Sequence, residues 1–224
     1  MMKWKWLIAI LSIGSIVLSF GIPSAEAEKI KSIRNQVEKH NFFRAAPSAT
    51  RLPFSTQVKG SIDKNSMWRC RDGIEETLAR LPTELSSRLK VLILNFEGGE
   101  RGLADAVTLI LRCDVSKTER LRVFLHEMGH VAYLSSGVEL QADYKKLWEK
   151  SGEADFVSGY AKENEFEDFA ESFLAFVEFG ESFRSTRSTV LSEKYFFIEK
   201  NFFPDRVYNG DRADFTLAFD MTKL

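Results

Sequence analysis

The pattern His126-Glu127-Met128-Gly129-His130 constrains this chain more than any other stretch of its sequence. It lies in an apolar run compatible with a helix, where residues four apart share one face and lie one turn apart. The two imidazoles can therefore point at one position, and imidazole nitrogens are preferred zinc ligands. Helix geometry turns Glu127 about 100° from His126, which places its carboxylate beside the metal as a base for a zinc-bound water. The pattern predicts one zinc ion per chain, bound on a helix.

The surrounding residues also favour a helix. Ser116-Lys117-Thr118-Glu119 has the form of a capping box, which starts a helix just upstream. Apolar residues then recur at helical spacing and give the helix a core face, as at Leu121, Met128 and Val131. The alternative is an accidental match, which is rare in a chain with 3 histidines among 224 residues.

Two histidines leave a zinc ion short of a third protein ligand. The chain has Tyr133 and Ser136 where the H-E-x-x-H-x-x-G-x-x-H pattern requires Gly and His, so that class is excluded. No histidine follows His130, so a carboxylate must serve. In a helix predicted over residues 163–179, two glutamates lie one turn apart at the margin of an apolar stripe.

We predict Glu167 as the third ligand and Glu171 as the acceptor that orients a ligand imidazole. The other polar residues of that helix, Glu165, Asp168 and Ser172, are predicted to face solvent. The alternative is an ordinary charged helix flank without a metal.

Residues 1–27 are typical of a secretory signal peptide. Lys3 and Lys5 precede an apolar stretch over residues 6–20, and Ala25-Glu26-Ala27 fits a cleavage site. The apolar stretch is short for a membrane span, and no stop-transfer pattern follows it. We expect a protein secreted after cleavage near Ala27, without stable insertion in a membrane.

The mature chain, residues 28–224, has the length of one domain. We divide it into an N-terminal helical and strand part, residues 28–115, and a part with the zinc helix and further helices, residues 116–224. Without its signal peptide the chain has nearly balanced charge, since 31 basic and 32 acidic residues lose only Lys3, Lys5 and Glu26. This composition does not favour nucleic acid as a partner.

Hydrophobic patterning predicts a mixed α+β fold whose C-terminal half is helical. The N-terminal part is predicted to hold a first helix over residues 28–41, loop with one short strand over 44–66, and a helix over 72–81. The predicted buried strands cover residues 90–96 and 106–112. The predicted later helices cover residues 139–150, 163–179 and 189–200.

Cys70 and Cys113 are the only cysteines. In an exported protein they can form a disulfide bond, and the alternative is two buried free thiols. The sequence leaves both readings open.

Further residues near Glu167 are similar to a known family. Tyr160 lies seven residues before Glu167 and is followed by Asn164-Glu165 and by Phe169-Ala170-Glu171-Ser172-Phe173. With H-E-x-x-H, this combination resembles the catalytic domain of the anthrax lethal factor family over about residues 88–202. Within that group, the short exported Pro-Pro endopeptidases are the most similar in size and layout.

The resemblance implies a zincin-like α+β domain with a small twisted sheet, an H-E-x-x-H helix and a helical C-terminal half. The resemblance implies that His126, His130 and Glu167 bind zinc and that Glu127 acts as the base. It also implies that the Tyr160 hydroxyl donates a hydrogen bond to the developing oxyanion and that Glu171 lies behind the site. No family motif precedes Arg101, so the resemblance does not identify the loops that select a substrate.

The sequence therefore predicts a secreted, monomeric zinc metalloendopeptidase. Its expected substrate is an extended peptide rich in proline, which pairs with an edge strand over residues 107–111. The alternatives are a zincin of another peptide specificity, toxin-type or broad, and a zinc-stabilised surface or binding module without turnover.

Overall fold

The computed structural model describes Glu28 and residues 54–204 except residue 187. The predicted signal peptide and nearly all of the predicted first helix lie outside this part of the chain. The described elements are β1 (Ser55–Lys59), α1 (Lys64–Arg71), α2 (Ile74–Ala79), α3 (Thr83–Ser86), β2 (Val91–Asn95), β3 (Gly102–Ala104), β4 (Thr108–Arg112), α4 (Lys117–Leu134), α5 (Val138–Glu149), α6 (Glu165–Phe179), α7 (Glu181–Arg184) and α8 (Thr189–Phe202). Two short 3₁₀ turns, Glu153–Asp155 and Tyr160–Lys162, lie between α5 and α6. The fold is therefore mixed α+β and mostly helical.

The four strands form one sheet in the order β1-β2-β4-β3. β1, β2 and β4 are parallel to one another, and β3 is antiparallel to β4. The side chains of β2 and β4 alternate between the sheet's two faces, and Leu92, Ile93 and Leu94 are all at most 1% exposed. Burial on both faces explains the continuous apolar runs from which these two strands were predicted.

The predicted edge position of residues 107–111 is wrong. β4 lies between β2 and β3, so its backbone groups are paired on both sides. The glycine-rich segment before it folds back and adds Gly102–Ala104 as a short antiparallel strand. The sheet edge on this side is therefore β3.

Local signals place the helix boundaries. The Ser116 side chain accepts a hydrogen bond from the backbone N–H of Glu119 at 3.2 Å, which confirms the predicted start of α4. The helix predicted over residues 72–81 is shorter, because Gly73 has a φ of +82° and separates α1 from α2. The sequence did not indicate α1. No helix among the described residues has both the length and the apolar character needed to cross a membrane.

The core forms where α6 packs on α4. An ideal Cβ on Gly129 of α4 would lie 2.8 Å from Cα of Ala170, so only glycine allows the two backbones to lie this close. Around this contact lie fully buried aromatic rings, with Tyr133 stacked on Phe169 at 4.7 Å between ring centroids. Phe173 continues the apolar stripe of α6 that the sequence predicted.

Asp168 and Ser172 were predicted to face solvent, and this prediction is wrong, since both are fully buried. The reason is that α6 is enclosed on several sides, by α4 and also by α5 and α8. Tyr144 of α5 and Lys194 of α8 supply polar partners to Asp168. Glu165 is partly exposed and forms an ion pair with a lysine of α5.

Cys70 and Cys113 form a disulfide bond with 5.3 Å between their Cα atoms. It joins the end of α1 to the connection between β4 and α4. The alternative of two free thiols is therefore wrong.

Candidate metal centre

Three side chains converge between α4 and α6. His126 and His130 lie one turn apart on α4 and present their Nε2 atoms to the same point, 3.1 Å from each other. Glu167, in the first turn of α6, brings its Oε2 to 3.2 Å from His126 Nε2 and 3.3 Å from His130 Nε2. Asn164 caps α6 by accepting from the backbone N–H of Glu167, which fixes where the helix begins. The three predicted ligands are thus brought together by the two most tightly packed helices.

This group can hold a metal ion. Its three donor atoms lie within 4.8 Å of one another and are largely buried. Oε2 of Glu167 has less than 1 Å² of exposed surface, and it faces the two imidazole nitrogens without a well-formed hydrogen bond to any described residue. A buried carboxylate oxygen without a well-formed hydrogen bond is costly, and a cation between the three donors would remove that cost.

Glu171 lies behind His126, where the sequence analysis placed it. Its Oε1 is 2.7 Å from Nδ1 of His126, and its side chain is completely buried. A hydrogen bond from Nδ1 to this carboxylate leaves the Nε2 lone pair of His126 directed at the other two donors. The contact therefore fixes both the tautomer and the orientation of the ring.

The electrostatics of the centre favour positive charge. Burial alone would lower the pKa of His126, but contacts with Glu167 and Glu171 outweigh it and hold that pKa well above its usual value. Burial alone would raise the pKa of Glu167, but the two imidazoles bring it well below the usual range. Both shifts follow from carboxylates and imidazoles that face each other in a site with little water.

Glu127 lies on the wall of an adjoining cleft and is only 6% exposed. Its side chain packs directly beneath the edge strand β3. An ideal Cβ on Gly102 would lie 2.7 Å from Cγ of Glu127 and 2.6 Å from Cγ1 of Val123. The absence of a side chain at residue 102 therefore leaves room for the carboxylate of Glu127.

Tyr160 lies in a 3₁₀ turn before α6 and belongs to the same cleft lining as Glu127. Its ring centroid is 5.8 Å from that of His126, and the residue is 38% exposed. Partial burial and the carboxylates of Glu167 and Glu163 raise the pKa of Tyr160 well above its usual value. The phenol therefore stays protonated at neutral pH and can donate a hydrogen bond into the cleft.

The cleft encloses about 650 Å³ and reaches the donor group at His126. Its described lining comprises Gly99, Glu100, Arg101, Gly102, Arg112, Val123, His126, Glu127, Gly159, Tyr160 and Glu163. Tyr160 is the one aromatic residue in that lining, and the three glycines expose backbone. A cleft with exposed backbone groups can pair with the backbone of an extended chain.

Sequence reasoning missed two glycines that shape the centre. Gly129 lets α4 and α6 approach, and Gly102 makes space for Glu127. The signal for the first was a glycine in the interior of a strongly predicted helix, where its conformational cost needs a packing reason. The second lay in a loop-like segment, and nothing in the sequence set it apart from Gly98 and Gly99.

The chain was also compared with known proteins. No family model matches it, and no curated protein or solved structure matches it either.

Proposed function

We propose that this chain is a secreted, zinc-dependent metalloendopeptidase of the zincin type, as its resemblance to the lethal factor family suggests. The observation that carries the proposal is the convergence of His126, His130 and Glu167 beside an open cleft with Glu127 on its wall. A structural zinc site is usually closed by four protein ligands, whereas a catalytic site has three and an open position.

The donor set supports zinc as the metal. Two imidazoles and one carboxylate are typical zinc ligands, whereas calcium and magnesium prefer oxygen donors. Tetrahedral zinc with ligands at about 2.0–2.1 Å would hold them about 3.3–3.4 Å apart. The observed separations of 3.1, 3.2 and 3.3 Å are close to this value.

Each side chain has a role in peptide hydrolysis. A bound zinc ion would polarise the peptide carbonyl and lower the pKa of a water molecule towards 7. Glu127 takes the proton from the attacking water and passes it to the departing amine. The Tyr160 hydroxyl donates a hydrogen bond to the oxygen that gains negative charge. Glu171 holds His126 in its orientation.

The edge strand β3 supports an extended peptide as substrate. Within the described residues Gly102–Ala104 pairs with β4 on one side only, so its other side can accept an added strand. This edge is three residues long and can make few hydrogen bonds to a substrate backbone. A short edge loses little when the substrate contains proline, which has no N–H. This argument and the family resemblance favour proline-rich peptides cut between two prolines.

The test of catalysis separates the base from the ligands. Glu127→Gln should keep about one zinc per chain and lose hydrolysis by at least about 100-fold, because general-base catalysis contributes that much or more. Glu139→Gln at the exposed start of α5 is the control and should keep full activity. Substantial turnover by Glu127→Gln would contradict the mechanism. Zinc binding by the native chain with no cleavage of any peptide in a library would favour the non-catalytic binding module.

The test of specificity uses three matched peptides with Pro-Pro, Pro-Ala or Ala-Ala at the centre. We expect kcat/KM to be highest for Pro-Pro, and mass spectrometry should locate the cut between the prolines. Comparable values for all three peptides would reject the narrow specificity and leave a zincin of broader preference.

Export is supported by the residues before Glu28 and by the disulfide, which is typical of proteins outside the reducing cytosol. When the full chain is expressed in a secreting host, we expect a monomer in the medium that begins at or near Glu28. Mass spectrometry of the intact protein and size-exclusion chromatography with light scattering check both points.

A further inference from the structure

A buried ion pair joins α6 to α8. Lys194 of α8 and Asp168 of α6 are both completely buried, and Nζ lies 2.9 Å from the Asp168 carboxylate. The Tyr144 hydroxyl donates to the same carboxylate at 3.0 Å. Burial of two charges carries a large desolvation penalty, which good geometry only partly offsets. In some proteins such a pair fixes one arrangement of the chain without adding net stability.

The ammonium of Lys194 makes a second attachment. It donates to the backbone carbonyl of Asp155 at 2.9 Å and lies 4.5 Å from the ring centroid of Phe156. The Asp155 side chain is itself held by the hydroxyl of Ser188, at the start of α8, and by the N–H of Gly152. One cation therefore joins α6 to the chain at residues 155–156.

These two attachments flank the proposed catalytic groups. Asp168 directly follows the ligand Glu167, and Asp155 lies five residues before Tyr160 in a stretch with little regular structure. The described hydrogen bonds inside that stretch are short-range, such as that from Ala161 N–H to the Ser158 hydroxyl. The 3₁₀ turn with Tyr160 packs on α6, and the segment that precedes the turn is tied to α6 and α8 through Lys194.

We propose that Lys194 is a positioning residue for the centre: by bonding Asp168 and the Asp155 carbonyl together, it sets the placement of Tyr160 relative to Glu167. The catalytic part of this proposal rests on the proposed function. Its structural consequence, the anchoring of residues 156–163, holds whether or not the protein is an enzyme.

The structural part is tested on the metal-free protein by hydrogen exchange with mass spectrometry. Lys194→Met keeps the length of the side chain and removes both attachments. Amides in peptides covering residues 156–163 should exchange about tenfold faster or more, because hydrogen bonds to a charged group are lost. Arg120→Met is the matched control, since Arg120 is also a buried cation that bonds two backbone carbonyls, those of Val115 and Arg69. It should leave exchange over residues 156–163 unchanged.

The catalytic part is tested by kinetics. Lys194→Met should lower kcat about 10- to 100-fold, as expected for a misplaced catalytic group, with KM changed less than about threefold. In a Tyr160→Phe background the same change should have little further effect, because two residues that act together are not additive. Lys194→Gln is the second variant if Lys194→Met does not fold.

Three outcomes decide the matter. Unchanged exchange over residues 156–163 in the Lys194 variants would overturn the proposal. Fully additive losses with Tyr160→Phe would overturn its catalytic part. A native protein that hydrolyses no peptide would contradict the proposed function, while the exchange comparison would still stand as a test of the anchor.

Discussion

Replacing Gly129 by alanine should weaken metal binding more than it weakens the fold. The new Cβ would lie 2.8 Å from Cα of Ala170 and 3.2 Å from its carbonyl oxygen. Carbon atoms in ordinary contact are about 3.5–4.0 Å apart, so α4 and α6 must separate by about 0.7–1.2 Å at this point. Gly129 lies between the two histidines of α4, and Ala170 lies between Glu167 and Glu171 of α6. The separation therefore acts at the middle of the site.

The structure gives the size of both effects. The hydrogen bond between His126 Nδ1 and Glu171 Oε1, now 2.7 Å, would lengthen to about 3.4 Å or more, beyond the usual range. Loss of such an orienting partner lowers metal affinity about 10- to 100-fold. Overpacking costs about 1–3 kcal/mol in stability, and alanine regains about 1 kcal/mol as the better helix former. The net loss of about 0–2 kcal/mol would lower Tm by at most about 8 °C.

The assay is zinc competition against a chromophoric chelator, with thermal unfolding of the metal-free protein measured in parallel. Gly137→Ala is the control, because residue 137 has a φ of −69° at the start of α5 and its new Cβ would meet only the end of the Glu139 side chain. Its zinc affinity should equal that of the native chain. A Gly129→Ala protein with native zinc affinity would refute the reasoning that close helix approach forms the site.

Three further changes test other parts of the structure. Glu167→Ala should weaken zinc binding far more than Glu165→Ala, whose side chain pairs with a lysine outside the site, and equal affinities would contradict the ligand assignment. Gly102→Ala should displace the Glu127 carboxylate and lower kcat while zinc content stays near one per chain, and loss of zinc instead would show that β3 supports the ligands. Replacing Cys70 and Cys113 by alanine should lower the free energy of unfolding by about 4 kcal/mol, as chain entropy gives for such a loop, and a loss below about 1 kcal/mol in denaturant titration would contradict that origin.

The parts of the site that sequence predicts are those whose geometry is set within one helix. The spacing of His126 and His130 determines that both face one point, and the cap at Ser116 determines where their helix begins. Glu167 and Glu171 followed from the same rule on a second helix, because the margin of an apolar stripe is where two helices meet. In each case the spacing of residues along one helix determines which side chains share a face.

The parts that sequence did not predict depend on contacts between distant segments. Asp168 reads as a solvent-facing residue until Lys194, 26 positions later, is brought beside it by α8. The strand β3 has three residues and no apolar alternation, so it exists only because β4 offers a partner. The edge position assigned to residues 107–111 was wrong for the same reason, since strand order is a property of the whole sheet.

The position of the disulfide along the chain bears on which residues could compete for a metal ion. Both cysteines, at residues 70 and 113, leave the ribosome before His126, and Glu167 follows much later. Thiolates bind zinc tightly, so in a nascent chain the free thiolates of Cys70 and Cys113 would compete for the ion. In the disulfide neither sulfur is a free thiolate, so Cys70 and Cys113 no longer compete for an ion. Among the described residues, the donors left for a metal are then His126, His130 and Glu167.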